Sequence, residues 1–175
     1  VTLATGAPRR IGLGGTKELN WAFMTEQAPV CPAQTHVIRR YLSILQPLGI
    51  VSDNTQMVLH VPATARRFAQ EFLARAGVGP DERILAINPA TTWASKNWPP
   101  EYYAEVIAAV HPKLRVLLCG GPDDRRLGRF IVEQAGVPVV NAIGATSLLE
   151  LAALLERCSA LICGDTGPLH MAVAL

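Results

Sequence analysis

The chain has 175 residues, of which 50% are hydrophobic and 17% charged, and its formal net charge at pH 7 is +2. This length and apolar content suffice for one domain, or for pieces of two, around a buried core, and they argue against a disordered chain. The small net charge gives no indication of nucleic-acid binding. We find neither an uninterrupted apolar stretch of about 18 residues nor an opening basic segment followed by an apolar run, so we expect no membrane span and no signal peptide.

The first part of the chain predicts two helices, one strand and a linker. Residues 35–45 carry apolar side chains at helical spacing and are followed by proline and glycine as stops. A short apolar run at residues 57–61 predicts a strand. The second helix is predicted with Thr64 as its N-cap and Gly77 as its left-handed stop. Residues 77–81 then have the glycine and proline content of a linker.

After this linker, apolar runs alternate with amphipathic segments. A helix is predicted from Glu101, and another opens with a capping box formed by Ser147 and Glu150. Continuous apolar strands between such helices are typical of a parallel sheet covered on both faces, the doubly wound α/β architecture. Its ligand is expected at the carboxyl ends of the strands. The predicted strands are residues 84–87, 116–119, 137–140 and 160–163.

The loop after the first of these strands contains hydroxyl side chains and a lysine. Thr91, Thr92 and Lys96 match the needs of a diphosphate, because hydroxyls and backbone amides donate hydrogen bonds and the ammonium is a point charge. An ordinary solvated loop explains the same residues equally well.

The loop after the second strand begins with two glycines and a proline. Such a turn lets the backbone approach a ligand closely, and Asp124 beyond it could accept hydrogen bonds from ribose hydroxyls. The alternative is purely structural, since Asp123 and Asp124 also suit the N-cap and first turn of a helix.

Residues 165–170 give the strongest local signal. Gly167 permits close approach to a ligand, Pro168 suits the first helical position, and the helix amides that follow would point at a phosphate. Asp165 could orient sugar hydroxyls and His170 could contact phosphate; the alternative makes Asp165 a helix cap and His170 a packed core histidine. GxGxxG, Walker and GxSxG motifs are absent, which leaves a phosphate-containing ligand, most simply a nucleotide.

The cysteines and histidines show no spacing typical of a metal site. No CxxC pair occurs, and the histidines fall in different predicted elements without HxH or HxxxH spacing. We therefore expect no metal ion, and free thiols in a reducing cytoplasm. The residues concerned are Cys31, Cys119, Cys158, Cys163, His36, His60, His111 and His170.

Two ordered motifs resemble those of family 9 glycosyltransferases, the bacterial heptosyltransferase group. The segment NPATTWASKNWP at residues 88–99 is similar to the family's paired hydroxyls, lysine and Trp-Pro after the first strand of the nucleotide domain. The segment GDTGPLH at residues 164–170 is similar to its Asp-Thr/Ser-Gly-x-x-His signature. The turn at residues 120–122 and the helix start at residues 146–151 also fit, and the resemblance covers nearly the whole chain.

The resemblance implies a GT-B-type α/β glycosyltransferase with two Rossmann-like domains. Residues 1–78 would be the end of the acceptor-side domain plus a linker, and residues 79–175 the nucleotide-sugar domain, truncated at its C-terminus. The first residue, Val1, and a last helix without a C-cap signal favour a fragment. The family's catalytic base would precede Val1, so we expect the chain itself to be inactive.

The same resemblance implies the roles of the site residues. Thr91, Thr92 and Lys96 would contact the diphosphate, Lys96 would also stabilise the leaving group, and Asp124 would take the ribose-binding position. Phosphate and sugar would be held by Asp165, Thr166, Gly167 and His170. The implied reaction is heptose transfer from ADP-heptose to the lipopolysaccharide inner core, with no cofactor beyond this donor substrate. It would take place in the cytoplasm, and peripheral contact with the inner membrane stays open.

Two other functions are compatible with the same residues. The motif residues would contact the diphosphate and make few contacts with the sugar, so a related transferase could use another nucleotide sugar. A non-catalytic module that binds a nucleotide without turnover is the third possibility.

Overall fold

The structure is a computed structural model that describes residues 3–14 and 19–175. The chain divides into two compact units, Val1–Gln56 and Met57–Leu175. None of the helices in the described part is both long and apolar enough to span a bilayer.

The described residues of the first unit form a small parallel sheet, one short α-helix and several 3-10 turns. Strand β1, Ile11–Leu13, pairs with β2, Glu26–Ala28. Helix α1, Val37–Leu42, continues as a 3-10 turn over Ser43–Leu48. The predicted helix over residues 35–45 is therefore confirmed only in its middle, because the proline in the following turn lacks the N–H that an α-helical bond needs.

The second unit is built on a four-stranded parallel sheet in the order β5-β4-β3-β6. Three of its strands match the predicted apolar runs within one residue. The fourth begins three residues later than predicted and shares only Val140 with the predicted run, because Pro138 cannot donate to a strand ladder. The bounds are Ile84–Asn88 for β3, Arg115–Leu118 for β4, Val140–Asn141 for β5 and Ala160–Cys163 for β6.

Helices cover both faces of this sheet, as the apolar strands predict. Side chains of β3 alternate between two cores: Ile84 packs with the cluster that contains α2 and α5, and Leu85 and Ile87 pack with the cluster that contains α3 and α4. Helix α6 follows β6. The helices are α2 at Ala63–Arg75, α3 at Pro100–Val110, α4 at Arg125–Ala135, α5 at Leu148–Glu156 and α6 at Gly167–Ala174.

Local signals around α2 and α5 are partly confirmed. The capping box of α5 is present, with Ser147 N donating to Glu150 Oε2 at 2.7 Å and Glu150 N donating to Ser147 Oγ at 3.4 Å. Gly77 has the predicted positive φ of 70°. Thr64 is not the N-cap of α2, because the helix already begins after Pro62, which is extended with ψ 154°.

The predicted strand at residues 57–61 is wrong. The segment has no ladder partner among the described residues, and Val58 is 80% exposed. Val61 is buried in the core beside Ala65 and Ala69 of α2, and Leu59 packs against the same cluster while partly exposed. Because α2 packs against α5 in this core, the compact units divide after Gln56, whereas the sequence places the domain boundary after Val78.

Candidate functional site

A cleft of about 530 Å³ opens at the carboxyl edge of the second unit's sheet. From β3 the chain builds the sheet towards β4 and β5, and it then returns to place β6 on the opposite side of β3. Ligands of open α/β sheets bind where the strand order reverses in this way. The cleft is lined by Asn88, Ala90, Thr91, Thr92, residues 120–124, residues 146–148, Leu151, Thr166 and Pro168.

The loop after β3 is closed by an asparagine. Asn97 Oδ1 lies 2.8 Å from both the backbone nitrogen and the hydroxyl of Thr91, and the same hydroxyl lies 2.8 Å from the carbonyl oxygen of Trp93. These contacts hold the ends of a seven-residue loop, residues 91–97, together and fix Thr91 at the cleft wall. Asn97 is not among the residues that the sequence singles out, although asparagine acceptors commonly close turns.

The predicted residues Lys96, Asp165 and His170 come together beside the cleft. Lys96 Nζ donates to Asp165 Oδ2 at 2.6 Å, and His170 Nε2 lies 3.9 Å from Asp165 Oδ1. The hydrogen bond from Lys96 lowers the pKa of Asp165, with smaller contributions from the charges of Lys96 and His170. All three side chains are accessible, with exposed fractions of 43%, 64% and 68%, so His170 is not a packed core histidine.

A glycine lets the loops after β3 and β6 pack against each other. A Cβ on Gly164 would lie 2.6 Å from Thr91 Cγ2 and 3.2 Å from the carbonyl oxygen of Lys96. The first distance is shorter than side chains tolerate, and the second involves backbone, which cannot swing away. Gly164 therefore permits the approach that places Asp165 within reach of Lys96.

The start of α6 lies at the cleft, where the sequence predicts an anion site. Thr166 is the N-cap residue and lines the cleft, and proline occupies the first turn of the helix. The Thr166 side chain makes no capping hydrogen bond, and Asp165 is not the cap that the structural alternative requires. Pro168 has no N–H, and Leu169 N donates to the Thr166 carbonyl oxygen at 3.1 Å, so the first-turn donor that an anion at the cleft could use is Gly167 N.

Asp124 has the structural role that the sequence left as an alternative. Its Oδ2 accepts a hydrogen bond from Gly121 N at 2.8 Å, which closes the turn over Pro122–Asp124 before α4. A Cβ on Gly120 would lie 2.9 Å from the same oxygen, so this glycine makes room for the carboxylate. Asp124 also lines the cleft, and its contact with ribose stays a prediction.

The structure thus brings the predicted residues to one rim in two groups. Thr91, Thr92, Asp124 and Thr166 line the cleft itself, and Lys96, Asp165 and His170 form the adjacent cluster. Within the described ranges, no three histidine, cysteine or acidic side chains gather as metal ligands would. The expectation of chemistry without a metal stays a prediction.

A parallel sheet covered on both faces, with hydroxyl, lysine and helix-start donors at its switch point, defines an α/β protein with a site suited to a phosphorylated ligand. The chain belongs to glycosyltransferase family 9, the heptosyltransferase family, whose family model matches residues 1–175. The resemblance of the chain to this family is confirmed.

Individual relatives agree with this assignment. The chain is 27% identical over 179 residues to the lipopolysaccharide core heptosyltransferase OpsX of Haemophilus influenzae, covering 98% of this chain and 49% of that protein. A family 9 glycosyl transferase structure from Veillonella parvula is 28% identical, with a TM-score of 0.83, and the match covers 96% of this chain and 48% of that one. The chain therefore spans about half the length of such relatives.

A third similarity concerns the fold. The structure of the Escherichia coli heptosyltransferase WaaC with ADP has a TM-score of 0.68 and 22% identity, covering 95% of this chain and 52% of that one. Together with the Veillonella structure, it confirms the predicted α/β fold class of family 9.

Proposed function

We propose that the second unit binds the nucleoside-diphosphate part of ADP-heptose, as the donor site of a heptosyltransferase that extends the lipopolysaccharide inner core. The observation that carries the proposal is the meeting of Lys96 and Asp165, at 2.6 Å, from loops that follow two different strands beside the cleft. The names of the family 9 relatives support the heptosyl donor and the lipopolysaccharide acceptor. The acceptor would be a glycolipid at the cytoplasmic face of the inner membrane.

The chemistry of the rim suits a departing diphosphate. Transfer of a glycosyl group leaves negative charge on the diphosphate, and preorganised donors stabilise such charge best where they need no rearrangement. Lys96 supplies a positive charge, Thr92 supplies a hydroxyl, and Gly167 supplies a backbone N–H at the start of α6. The Thr91 hydroxyl would donate to the diphosphate in exchange for its present acceptors, the Trp93 carbonyl and Asn97 Oδ1. In this proposal, Asp165 and His170 hold the sugar and phosphate side of the donor.

Calorimetric titration of the chain with ADP, ADP-heptose, UDP and GDP tests the proposal. We expect the adenine nucleotides to bind preferentially and Lys96→Ala to weaken ADP binding by about 1.5 to 3 kcal/mol, as for the loss of a charge-assisted hydrogen bond. Lys113→Ala is the matched control, because Lys113 is exposed and precedes β4 at the opposite edge of the sheet.

Each other outcome has a defined meaning. Preference for UDP or GDP would keep the nucleotide site and reject heptose in favour of another nucleotide sugar. Equal losses in the Lys96 and Lys113 variants would show that Lys96 acts only through net charge. Failure of the chain to bind any of these nucleotides would contradict the proposed function.

A further inference from the structure

The last residue of β3, Asn88, is a buried polar side chain at the centre of the carboxyl edge. It is only 4% exposed, and it lines the cleft. Its strand lies between β4 and β6, and Asn88 is in register with Cys163 at the end of β6. The side chain therefore occupies the point where the strand order reverses.

One half of this amide has a partner and the other does not. Asn88 Oδ1 accepts a hydrogen bond from Ala90 N at 3.3 Å. A backbone N–H is only a donor, so this contact fixes which end of the amide is oxygen and which is nitrogen. No residue in the described part of the chain accepts a hydrogen bond from the remaining group, Nδ2.

A buried donor without a partner destabilises a fold, and native proteins leave few of them. A residue kept in this state at a ligand cleft is best explained by an acceptor that arrives with the ligand. Thr92 and Thr166 line the same cleft, and threonine hydroxyls suit oxygen-rich groups. Asn88 adds to them a neutral donor with two protons.

We propose that Asn88 is a binding residue of this cleft, and that its Nδ2 donates a hydrogen bond to an oxygen of the bound nucleoside diphosphate. This inference rests on the proposed function and adds to it a contact that neither family motif assigns. Both the diphosphate and the ribose present acceptor oxygens, so the test separates these two sources.

The test compares ADP, inorganic pyrophosphate and adenosine by calorimetry on the full chain. In Asn88→Ser, the hydroxyl can still accept from Ala90 N, as serine does in turns, but it no longer reaches as far as the amide nitrogen. We expect ADP to bind about five- to tenfold more weakly, as for one lost hydrogen bond. A parallel loss for pyrophosphate would assign the contact to the diphosphate, and a loss for adenosine would assign it to the ribose.

A matched control separates this contact from turn formation. Asn141 Oδ1 accepts a hydrogen bond from Ile143 N at 3.1 Å. The two residues are two positions apart in sequence, as Asn88 and Ala90 are, but Asn141 does not line the cleft. Asn141→Ser should therefore leave all three affinities unchanged. In the absence of ligand, the unfolding temperature of Asn88→Ser should equal or exceed that of the native chain, because the substitution removes a buried donor that has no partner.

A second variant keeps the size of the side chain. Asn88→Asp retains an acceptor for Ala90 N, replaces the donor by a carboxylate oxygen, and should weaken ADP and pyrophosphate more than adenosine if the phosphates are near. Native affinity for ADP in Asn88→Ser would overturn the inference and assign Nδ2 to a bound water, while the proposed function would stand. If the native chain bound no ADP, both would fail.

Discussion

The carboxylates at the carboxyl edge of the sheet fall into two regions that use them differently. On the side of β4 and α5, Asp124 and Glu150 each bond a backbone amide three residues earlier, at 2.8 and 2.7 Å. On the side of β3 and β6, Asp165 bonds Lys96, a residue 69 positions away. The first region fixes its own turns, whereas the second joins two separate loops at the rim of the cleft.

The difference indicates which carboxylates belong to the scaffold. A carboxylate committed to a neighbouring amide holds a helix start in place and has less capacity left for a ligand. In the described part of the chain, no neighbouring amide donates to Asp165, which instead bonds Lys96 of the loop after β3. We therefore expect substitutions on the β3–β6 side to change ligand binding and those on the β4–α5 side to change stability.

The largest effect is expected from Gly164→Ala, which disrupts the packing between the loops after β3 and β6. The new Cβ would meet the Thr91 methyl at 2.6 Å and the Lys96 carbonyl at 3.2 Å. Overpacking of this kind costs about 1 to 3 kcal/mol. Because the Lys96 carbonyl cannot swing away by itself, the new methyl should displace the loop that carries Thr91 and Lys96, and we expect weaker ADP binding in calorimetry.

The control for this variant is Gly79→Ala. A Cβ there would meet Glu82 at an ordinary 3.5 Å, the position has no positive φ, and it does not line the cleft. Its ADP affinity should equal that of the native chain. If Gly164→Ala lowered the unfolding temperature but left ADP affinity unchanged, the glycine would matter only for folding.

The same division separates what sequence could predict from what it could not. The capping box of α5 and the stop at Gly77 depend on neighbours in sequence, and both are confirmed. The role of Gly164 and the closure of the loop by Asn97 depend on which strands lie side by side. Spacing along the chain does not contain that order, so these contacts needed the structure.

The errors have physical causes of the same kind. The apolar run at residues 57–61 has strand composition, but a strand requires a partner, and none of the described residues pairs with it. The sequence did predict that the two motif loops lie at the same edge of the sheet, because the carboxyl ends of parallel strands meet there. They could not show that Asp124 is bonded within its own turn.

A smaller effect is expected from Asp165→Asn. The substitution removes the charge that pairs with Lys96 while keeping a side chain of the same size. ADP binding should stay within about threefold of native, whereas the preference for ADP-heptose over ADP should fall about tenfold, as for one lost charge-assisted bond to the sugar. Calorimetric affinities for both ligands give this ratio, and equal losses for the two would contradict the assigned role.

The pH dependence of this pair follows from the lowered pKa of Asp165. A carboxylate with a depressed folded-state pKa stabilises the fold above its ordinary pKa of about 3.9, and this contribution is lost as the pH falls through the lowered value. Both partners are well exposed, so screening keeps the contribution small. Thermal unfolding above pH 5 should therefore place the native chain and Asp165→Asn within about 2 °C of each other.

The smallest effect on the cleft is expected from Glu150→Ala, because Glu150 lies on the β4–α5 side of the carboxyl edge. The backbone amide of Ser147 lowers the pKa of Glu150, followed by the Ser147 side chain, so this contribution too is present at neutral pH and fades as acid protonates the carboxylate. The variant should unfold about 1 to 4 °C lower at pH 7 and bind ADP normally. Glu150→Gln, which keeps an acceptor for the capping box, should lose less and show no fading in acid. A loss of ADP affinity in either variant would mean that the cap of α5 also shapes the cleft, and the division between scaffold and ligand carboxylates would not hold.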